Sequence, residues 1–402
     1  MSGALRAKST SFSLAEPLVR YLANSPLAVI RHGEGIIGFG EARRLTASGP
    51  NRIAELARQW AELAAASEVD DQVQLPGSGL TAFGSFAFSG ESESESVLIV
   101  PQTILGVRDG RGWITQIGDE SATVAPTDFA SSGSIELLDG SPDPAGYEQA
   151  VARAVAAIAA GELEKVVLAR SLMASVGDDF DLRPVLVKLA ENYPGCWTYA
   201  VDGTFGASPE LLVRVSHGQI ATRVLAGTAA RGETEAENRE VAERLRTSEK
   251  DLAEHKMAVD SVTEALAPLA AKLDFDEKPF AVEFPNLWHL ASDVHAVLAA
   301  GVSGLELVAA LHPTAAVAGT PRDAALDLIA ELEPFDRGRY AGPVGWISSS
   351  GDCEWMIALR GGQLRGDTIT AYAGCGVVAE SVPAQELAET NLKFRPMREA
   401  LS

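Results

Sequence analysis

Acidic side chains at helical spacing are the first candidates for chemistry in this sequence. Glu386, Glu389 and Lys393 occupy positions i, i+3 and i+7 of a predicted C-terminal helix, so their side chains share one face. Asp251 and Glu254 repeat the acidic spacing on another predicted helix. Two such carboxylate pairs could together hold Mg²⁺, which prefers carboxylate oxygen and usually keeps several waters. The same spacing also fits a solvated helix face carrying an ion pair, and it does not show that the two helices meet.

The two acidic residues of the earlier helix differ in their structural alternatives. Ser248 followed by Asp251 fits a capping box, which gives Asp251 a purely structural explanation. Glu254 lies one turn further into the helix, on the flank of its apolar stripe, and has no such explanation. Glu254 is therefore the stronger candidate for a metal ligand.

Lys165 and Glu210 are the candidates for proton transfer. Lys165 opens the run 165–174, whose two faces as a strand are largely apolar apart from Arg170. Burial of this kind favours the neutral amine, a general base, whereas a lysine at a strand end more often extends to water. Glu210 follows Pro209 in a predicted turn, where a partly buried carboxylic acid could be a general acid. An exposed turn glutamate is the ordinary alternative.

Two glycine-containing segments could approach a ligand closely. The segments 225–228 and 374–376, which contain Gly227, Thr228 and Gly376, each follow a predicted strand. Glycine there can offer backbone N–H groups to a carboxylate, although it often only turns the chain.

Three further side chains could line a binding site: His289, Tyr340 and Arg360. Arginine is the natural bidentate partner of a carboxylate. Each of the three also has an ordinary explanation, as a core histidine, a packed tyrosine and a surface arginine.

Hydrophobic patterning predicts the elements that position these residues. Predicted strands cover 27–31, 35–39, 84–88, 96–100, 165–174, 197–201, 211–216, 219–225, 341–348, 354–359 and 368–373. Predicted helices cover 52–66, 147–160 and 182–192, and two more begin near 249 and 383. Strands and helices are intermixed with many apparent hairpins, which favours the α+β class over a strict βαβ alternation.

A loop-like segment and a proline interrupt this pattern. The segment 118–146 is rich in Ser, Asp, Pro and Gly and predicts a long surface connection. Pro396 predicts a kink or an end in the last helix, because it removes the hydrogen bond to Leu392.

Composition excludes several classes of protein. The net charge of −22 and a pI near 4.7 argue against a broad nucleic-acid surface. The three cysteines form no CxxC pair, so neither a disulfide framework nor a zinc site is expected. No signal peptide and no apolar run of membrane-spanning length is present, so we expect a soluble, cytoplasmic protein without membrane contact.

An ordered series of segments carries a family resemblance. The segments are EKVVLARS, GASPELLVR, LAGTAARG, SEKDLAEHKMAVD, LWHLASDV, LHPTAAVAGTPRDAALDLI, FDRGRYAGPVGW, EWMIALRGG and YAGCGVVAESVPAQELAETNLK. In this order they resemble the chorismate-binding enzymes, which include isochorismate, anthranilate, aminodeoxychorismate and salicylate synthases. The resemblance extends from about residue 146 to the C-terminus.

The resemblance implies a fold and a division of the chain. It implies a single large α+β domain over residues 1–402, with two layered, mostly antiparallel sheets flanked by helices and the site between them. Residues 1–140 would be a variable part that contributes strands. Residues 146–402 would be the catalytic part.

The resemblance also implies Mg²⁺ as the cofactor and assigns its ligands. Glu254 and Glu389 match the carboxylates that bind the ion. Asp251 and Glu386 match residues that support these two ligands, either from the layer of residues behind them or through a water molecule. Lys393 matches a cation near the metal site.

Substrate contacts follow from the same resemblance. Arg360 and Tyr340 match residues that hold the enolpyruvyl carboxylate of chorismate, and His289 matches a histidine that lines the pocket. The loops that lie close to the ring and its carboxylates match Gly227, Thr228 and Gly376.

Lys165 and Glu210 match the two groups that perform the reaction. Lys165, neutral when active, would deprotonate a water that attacks ring carbon 2, and Glu210 would protonate the departing 4-hydroxyl from the opposite face. The base and the acid need complementary protonation states, which a lysine and a carboxylic acid can provide.

The branch of the family is predicted from three segments. Anthranilate synthases typically lack a lysine at the position of Lys165, and aminodeoxychorismate synthases carry a PIKGT-like segment where this chain has VLAGT. The segment HPTAAVAGTP is similar to the HPTPAVGG pattern of isochorismate synthases, with Ala315 and Ala318 as departures. The expected activity is therefore that of an isochorismate synthase. Salicylate synthase, or a non-catalytic chorismate or metal binder, remains the alternative.

The same reading sets expectations about partners. No glutamine amidotransferase portion is fused to this chain, so we expect a monomer without an amidotransferase subunit and without nucleic acid. The sequence leaves open whether the product feeds menaquinone, a siderophore or salicylate.

Overall fold

Two large, mostly antiparallel β-sheets dominate the protein, seen here in a computed structural model. The structure describes residues 3–119, 122, 124–129, 133–177, 180–232, 234–276, 278–283 and 287–402. Five side chains inside helices and strands lie outside this description: Thr228, Ala230, Lys250, Glu254 and Leu287.

The strands are short and separated mainly by tight turns. In chain order they are β1 (Arg6–Ser11), β2 (Leu27–Arg31), β3 (Glu34–Phe39), β4 (Arg43–Ala47), β5 (Glu68–Asp71), β6 (Thr81–Ser85), β7 (Ser96–Val100), β8 (Thr103–Arg108), β9 (Arg111–Ile117), β10 (Leu138–Asp139), β11 (Lys165–Ser175), β12 (Trp197–Val201), β13 (Thr204–Ser208), β14 (Leu211–Ser216), β15 (Gln219–Ala230), β16 (Ala270–Phe275), β17 (Phe280–Glu283), β18 (Leu287–Leu298), β19 (Gly319–Thr320), β20 (Pro343–Ser348), β21 (Cys353–Ile357), β22 (Gly361–Arg365) and β23 (Thr368–Val377).

Helices connect many of the strands and pack against the two sheets. They are α1 (Arg52–Ala66), α2 (Pro144–Ala159), α3 (Arg183–Asn192), α4 (Glu235–Thr247), α5 (Glu249–Leu266), α6 (Gly304–Leu311), α7 (Arg322–Leu332), α8 (Pro383–Lys393) and α9 (Arg395–Leu401). Among the helices of the described residues, none combines the length and apolarity needed to cross a bilayer.

Sheet topology draws on both ends of the chain. Among the described residues the first sheet has 13 strands, in the order β10-β11-β23-β22-β13-β12-β2-β3-β8-β9-β1-β5, with β19 beside β11. The second has 10, in the order β16-β18-β15-β14-β21-β20-β6-β7-β4, with β17 beside β18. Strands from the first 117 residues enter both sheets.

The main core lies between the two sheets. Buried side chains of the first sheet, such as Val29 and Tyr199, belong to the same apolar cluster as Phe83 and Trp346 of the second. A second cluster fills the other face of the first sheet, where α3 and α9 pack. Its central strands are therefore covered on both faces, which explains runs such as β12, buried at every position. The predicted α+β class with two layered sheets is confirmed.

Most predicted elements agree with the structure, and the differences have local causes. Strand β13, ending at Ser208, was not predicted because its residues, TFGAS, carry little apolar alternation. The predicted strand 84–88 is placed too late, since β6 ends at Ser85. Strands β15 and β23 extend further than predicted because long partners, β18 and β11, pair with their continuations.

The segment 118–146 and Pro396 both agree with the prediction. In the segment 118–146 the described residues form mostly irregular connection, with the two-residue strand β10 and the start of α2 at Pro144. Helix α8 ends at Lys393, and Pro396 lies in the first turn of a separate helix, α9. Proline fits there because the first N–H groups of a helix have no partner within it.

Candidate active site

Glu210 and Arg360 lie where the chain passes from one sheet to the other. Between β13 and β14 it crosses through Pro209 and Glu210, and between β21 and β22 it crosses back, ending at Arg360. Because β13 pairs with β22 and β14 pairs with β21, the two crossings run side by side.

Hydrogen bonds join the two crossings. The Ile357 N–H donates to the carbonyl of Glu210 at 3.1 Å, and the Ala207 N–H donates to that of Arg360 at 3.2 Å. The Ser208 hydroxyl donates to the Ile357 carbonyl at 2.6 Å and accepts from the Glu210 N–H at 3.2 Å. Both crossing residues are thus fixed by backbone contacts, which leaves their side chains available for other roles.

Arg360 adopts a strained backbone conformation at its crossing. Its φ is +50°, in the left-handed region, which costs a non-glycine residue about 1–2 kcal/mol. Such conformations persist where surrounding contacts enforce them. Here the hydrogen bond from the Tyr199 hydroxyl to the Leu359 carbonyl, 3.1 Å, fixes the preceding residue.

Lys165 begins β11 at the edge of the region between the sheets. Its neighbours are Thr320 of β19 in register and Gly376 on β23. A Cβ added at Gly376 would lie 2.9 Å from the Lys165 Cε, so this glycine leaves the lysine side chain room to lie across β23. Gly376 and its neighbours were predicted to form a loop after a strand; they lie within β23 instead, paired with β11.

A buried ion pair fastens the start of β11. Arg337 and Glu333, 3% and 4% exposed, are 2.6 Å apart. The guanidinium also donates to the carbonyls of Val317 at 2.9 Å and Val167 at 2.7 Å, and the Glu333 carboxylate accepts from the Ala169 N–H at 2.8 Å. Isolated buried charge is costly, and here each charge is paired and hydrogen-bonded. The pair therefore holds the strand that begins with Lys165 against the segment 312–320.

Electrostatics place five candidate residues in one region. Arg360, Lys165 and Lys393 lie close enough that their positive charges act on the carboxyl of Glu210. The same three cations act on the ring of His289 in the second sheet. Residues from both sheets and from α8 therefore face a common space. We call these five residues, Lys165, Glu210, His289, Arg360 and Lys393, the inter-sheet site.

Burial shifts the pKa values of Glu210 and His289 in opposite directions. Burial raises the pKa of Glu210, and the three cations only partly oppose it. Burial lowers the pKa of His289 to about 4, against a hydrogen bond to the Gly227 backbone. His289 is therefore neutral at physiological pH.

Gly227 forms an irregularity in β15 next to His289. It was predicted to follow a strand; instead it lies inside β15 at a bulge between Ala226 and Thr228, with φ of +79°. A Cβ at Gly227 would lie 3.3 Å from the Cβ of Asp251, so α5 approaches the backbone closely here.

Helix α5 is fixed at this bulge by its polar groups. The Ser248 hydroxyl accepts from the Asp251 N–H at 3.3 Å, which is the predicted capping contact. His255 is 2% exposed, and its ring contacts the carbonyl of Ala226 at 3.1 Å and the hydroxyl of Ser292 at 2.9 Å. The start of α5 therefore lies over the bulge.

Glu386 and Glu389 form a group with Cys375 that could hold a metal ion. One ligand atom from each of the three lies within 4.8 Å of the other two. Burial and the nearby charge of Glu389 raise the pKa of Glu386. Burial acts on Glu389 in the same sense, but the Lys393 ammonium, 2.6 Å away, outweighs it and holds the pKa of Glu389 below its usual range. Burial raises the pKa of Cys375 to about 12, so it remains a thiol.

The donor set of this group fits Mg²⁺. Two carboxylates at the same face offer the hard oxygen ligands that this ion prefers, whereas a protonated thiol is no ligand for it. The Arg360 charge also acts on Glu389, which links the group to the inter-sheet site.

Tyr340 is buried beside the site. Its ring stacks on Tyr372, with centroids 5.0 Å apart and planes inclined by 14°. Burial raises the pKa of Tyr340 to about 12, so the phenol stays protonated and can donate a hydrogen bond.

The structure brings together the five residues of the inter-sheet site, with Tyr340 and Glu389 within reach of the Arg360 charge. Asp251 is placed against Gly227 at the bulge of β15. Two predicted residues cannot be placed, because the side chains of Glu254 and Thr228 lie outside the described residues.

Arg337, Glu333 and His255 were not singled out from the sequence. Only Glu333 carried a local signal, a charged residue between Leu332 and Pro334, whereas Arg337 and His255 each have a charged neighbour in the chain.

Comparisons with known proteins agree with this geometry. Residues 113–402 match the sequence profile of the family described as chorismate binding enzyme. The chain belongs to the chorismate-binding enzyme family. The predicted family is thereby confirmed.

Similar members of the family share one activity by name. The isochorismate synthase DhbC of Bacillus subtilis is 40% identical over 272 residues, which span 65% of this chain and 68% of the relative. The isochorismate synthase EntC of Escherichia coli is 36% identical over 276 residues, 67% of this chain and 71% of the relative. The solved structure of MenF, the menaquinone-specific isochorismate synthase from Escherichia coli, matches with a TM-score of 0.80 and 25% identity, covering 99% of this chain and 95% of that one.

Two histidines with lowered pKa values, His289 and His312, predict a pH dependence of stability. Burial lowers the pKa of His289 to about 4 and that of His312 to about 3, whereas both take up a proton near pH 6.5 when unfolded. Between pH 6.5 and 4 the unfolded chain therefore binds more protons than the folded protein. The free energy of unfolding consequently decreases as the pH is lowered through this range. Each histidine contributes a slope of up to about 1.4 kcal/mol per pH unit.

Urea unfolding from pH 7 to pH 4 measures this slope. The raised pKa values of Glu210 and Glu386 act in the opposite sense, so the comparison of variants isolates the histidines. We expect a shallower slope in His312→Gln and no change in a variant of the exposed His217, His217→Gln. Equal slopes in all three proteins would contradict the assignment.

Proposed function

We propose that this chain is an isochorismate synthase that converts chorismate to isochorismate. The observation that carries the proposal is the inter-sheet site, where a lysine and a shielded carboxyl group from two different sheets face one space among cations. The names of similar proteins support the same activity. We further propose that residues 1–402 act as one domain, because strands from the first 117 residues complete both sheets.

Cations of the site would bind a substrate with two carboxylates. Arg360 and Tyr340 would hold the enolpyruvyl carboxylate. Arg360 would do so through two parallel hydrogen bonds and its positive charge, and Tyr340 through a hydrogen bond from its neutral phenol. Lys393 lies beside Glu389 and contributes positive charge near the ring. The protein carries a net charge of −22, so this local cluster is what attracts an anion.

Lys165 would activate the water that attacks the ring. As the proposed base, its amine takes a proton from the water as the oxygen bonds to carbon 2. Its side chain crosses the glycine at 376, and its strand is fixed by the Arg337–Glu333 pair, so the amine has a defined position. A base in a fixed position accelerates the reaction more than a mobile one, since the reacting atoms must be held in line.

Glu210 would donate a proton to the leaving 4-hydroxyl. Burial raises its pKa, which favours the protonated form that an acid requires. As the bond between carbon 4 and oxygen breaks, the ring double bonds shift and a water molecule departs. One water is consumed and one released, and a proton must return from Lys165 to Glu210 before the next turnover.

Glu386 and Glu389 fit Mg²⁺, and we propose Glu254 and Asp251 as the residues on α5 that complete its site. The ion, when bound, would neutralise the ring carboxylate and fix the ring. Lys393 pairs with Glu389 and lowers the pKa of that carboxyl group, which favours the ionised form that a cation requires. His289 is neutral and hydrogen-bonded to the Gly227 backbone, and would line the pocket without adding charge.

Product analysis tests the proposed activity. Incubation with chorismate and Mg²⁺, followed by chromatography, should yield isochorismate alone. Salicylate with pyruvate would identify a salicylate synthase instead. Tight chorismate binding without turnover would identify a non-catalytic binder.

Removal of the base should separate binding from catalysis. We expect Lys165→Ala to lower turnover by at least about 100-fold, because general-base catalysis typically contributes 10²–10⁴-fold. Chorismate binding, measured by calorimetry, should be largely retained. The exposed Lys272→Ala is the control. Near-normal turnover in Lys165→Ala would refute the base assignment.

Loss of a carboxylate should weaken the use of metal. Glu389→Gln or Glu254→Gln should raise the Mg²⁺ concentration needed for half-maximal turnover by about 10-fold to 100-fold, the range typical for loss of a metal-site contact. The surface residue Glu331, paired with Arg153 on another helix, supplies the control Glu331→Gln. An unchanged magnesium titration would remove both residues from the ligand set.

A further inference from the structure

Arg170 is a buried arginine in the middle of β11, and its contacts lead to α8. It is 1% exposed. Its Nε donates to the Thr390 hydroxyl at 3.0 Å, one Nη to the Asn391 side-chain oxygen at 2.8 Å and the other to Asp139 at 3.2 Å. The guanidinium also lies over the ring of Phe394, 5.2 Å from its centroid. One side chain of the first sheet thus contacts a complete turn at the end of α8.

This contact is the deepest point at which α8 meets the sheet. Among the described residues of α8, Thr390 is the buried one. Two further polar contacts involve the candidate metal group: Cys375 donates to the Glu386 carbonyl at 3.4 Å, and Lys393 donates to the Gly374 carbonyl at 2.8 Å. Arg170 is therefore a polar anchor of α8 that does not use a side chain facing the site.

Helix α8 needs such an anchor because its face carries like charge. Carboxylate oxygens of Glu386 and Glu389 lie within 4.8 Å of each other, close enough for their negative charges to repel. The planar fork of a guanidinium holds several acceptors in fixed directions, and thereby restricts rotation and sliding of the helix. Thr390 and Asn391 directly follow Glu389, so their position sets that of the carboxylate.

Arg170 contributes little to global stability in this arrangement. Two of its three acceptors are neutral, and the Asp139 side chain is 54% exposed. A buried guanidinium with such partners stabilises the folded protein little more than an apolar side chain of similar size would. Replacement by methionine leaves no buried charge behind, since Asp139 can be hydrated. The residue is therefore better explained by the positioning of α8 than by overall stability.

We propose that Arg170 is a positioning residue that couples β11, which carries Lys165, to the helix that carries Glu386 and Glu389. The part of this inference that concerns metal use rests on the proposed function. The anchoring of α8 does not depend on it. Removal of Arg170 loosens α8 without unfolding the protein, and weakens Mg²⁺ binding because the carboxylates lose their fixed position.

Hydrogen exchange and magnesium calorimetry on the full chain test this proposal. In Arg170→Met we expect amide exchange in peptides covering 383–393 to accelerate by about 10-fold or more without any ligand, as for lost local hydrogen bonds. Mg²⁺ binding should weaken by about 10-fold to 100-fold. The midpoint of thermal unfolding should stay within a few degrees of the parent protein.

Thr390→Val provides a second, milder variant. It removes one acceptor of Arg170 with little change in shape and should show the same pattern with smaller effects. Arg52→Met controls for loss of a buried guanidinium elsewhere, because Arg52 donates to the carbonyls of Ala87 and Phe88. It should leave exchange in 383–393 and Mg²⁺ binding unchanged.

Two results overturn the proposal. One is parent-like exchange in 383–393 for both Arg170→Met and Thr390→Val. The other is faster exchange with unchanged Mg²⁺ binding, which would make Arg170 a purely structural anchor. If the parent protein binds Mg²⁺ but does not convert chorismate, the proposed function fails while the positioning role still stands or falls on exchange and calorimetry.

Discussion

Paired crossings between the two sheets determine where chemistry can occur in this protein. A strand that leaves one sheet and enters the other must carry its backbone polar groups through a buried layer, where unpaired groups are costly. The two crossings meet this requirement by bonding to each other, through Ile357 to Glu210 and through Ala207 to Arg360. With the backbone groups thus paired, an acidic and a basic side chain are held next to each other between the sheets.

The charge balance of this region runs against that of the whole molecule. The chain carries 33 basic and 55 acidic residues, yet three cations converge on Glu210 and His289. Burial dominates the protonation of both groups, because it penalises the charged form of each. The result is an acid whose raised pKa favours its protonated form, and a neutral imidazole, both beside nearby cations. Such an environment suits an anionic substrate that must give up a hydroxyl group.

Strand β11 links these features to the rest of the fold. Near its start it is held by the Arg337–Glu333 pair, and further along Arg170 reaches the end of α8. Both arginines are almost fully buried and bind several acceptors, so the strand has little freedom to shift its register. Strand β11 therefore positions both the proposed base and the helix that carries the proposed carboxylate ligands. It does so although more than 200 positions separate Arg170 from Thr390 in the chain.

Local patterns in the sequence determined the elements and the chemical types of the candidates. Strands such as β2, β7 and β12 follow from apolar runs between turn residues, and the end of α8 follows from Pro396, because these signals act within a few residues. Tertiary structure alone decided that Gly227 and Gly376 lie inside strands, since only their long partners continue the pairing there. It also decided that Lys165, Glu210 and Arg360 share one space, because that proximity depends on which strands are neighbours, and spacing along a chain does not contain that information.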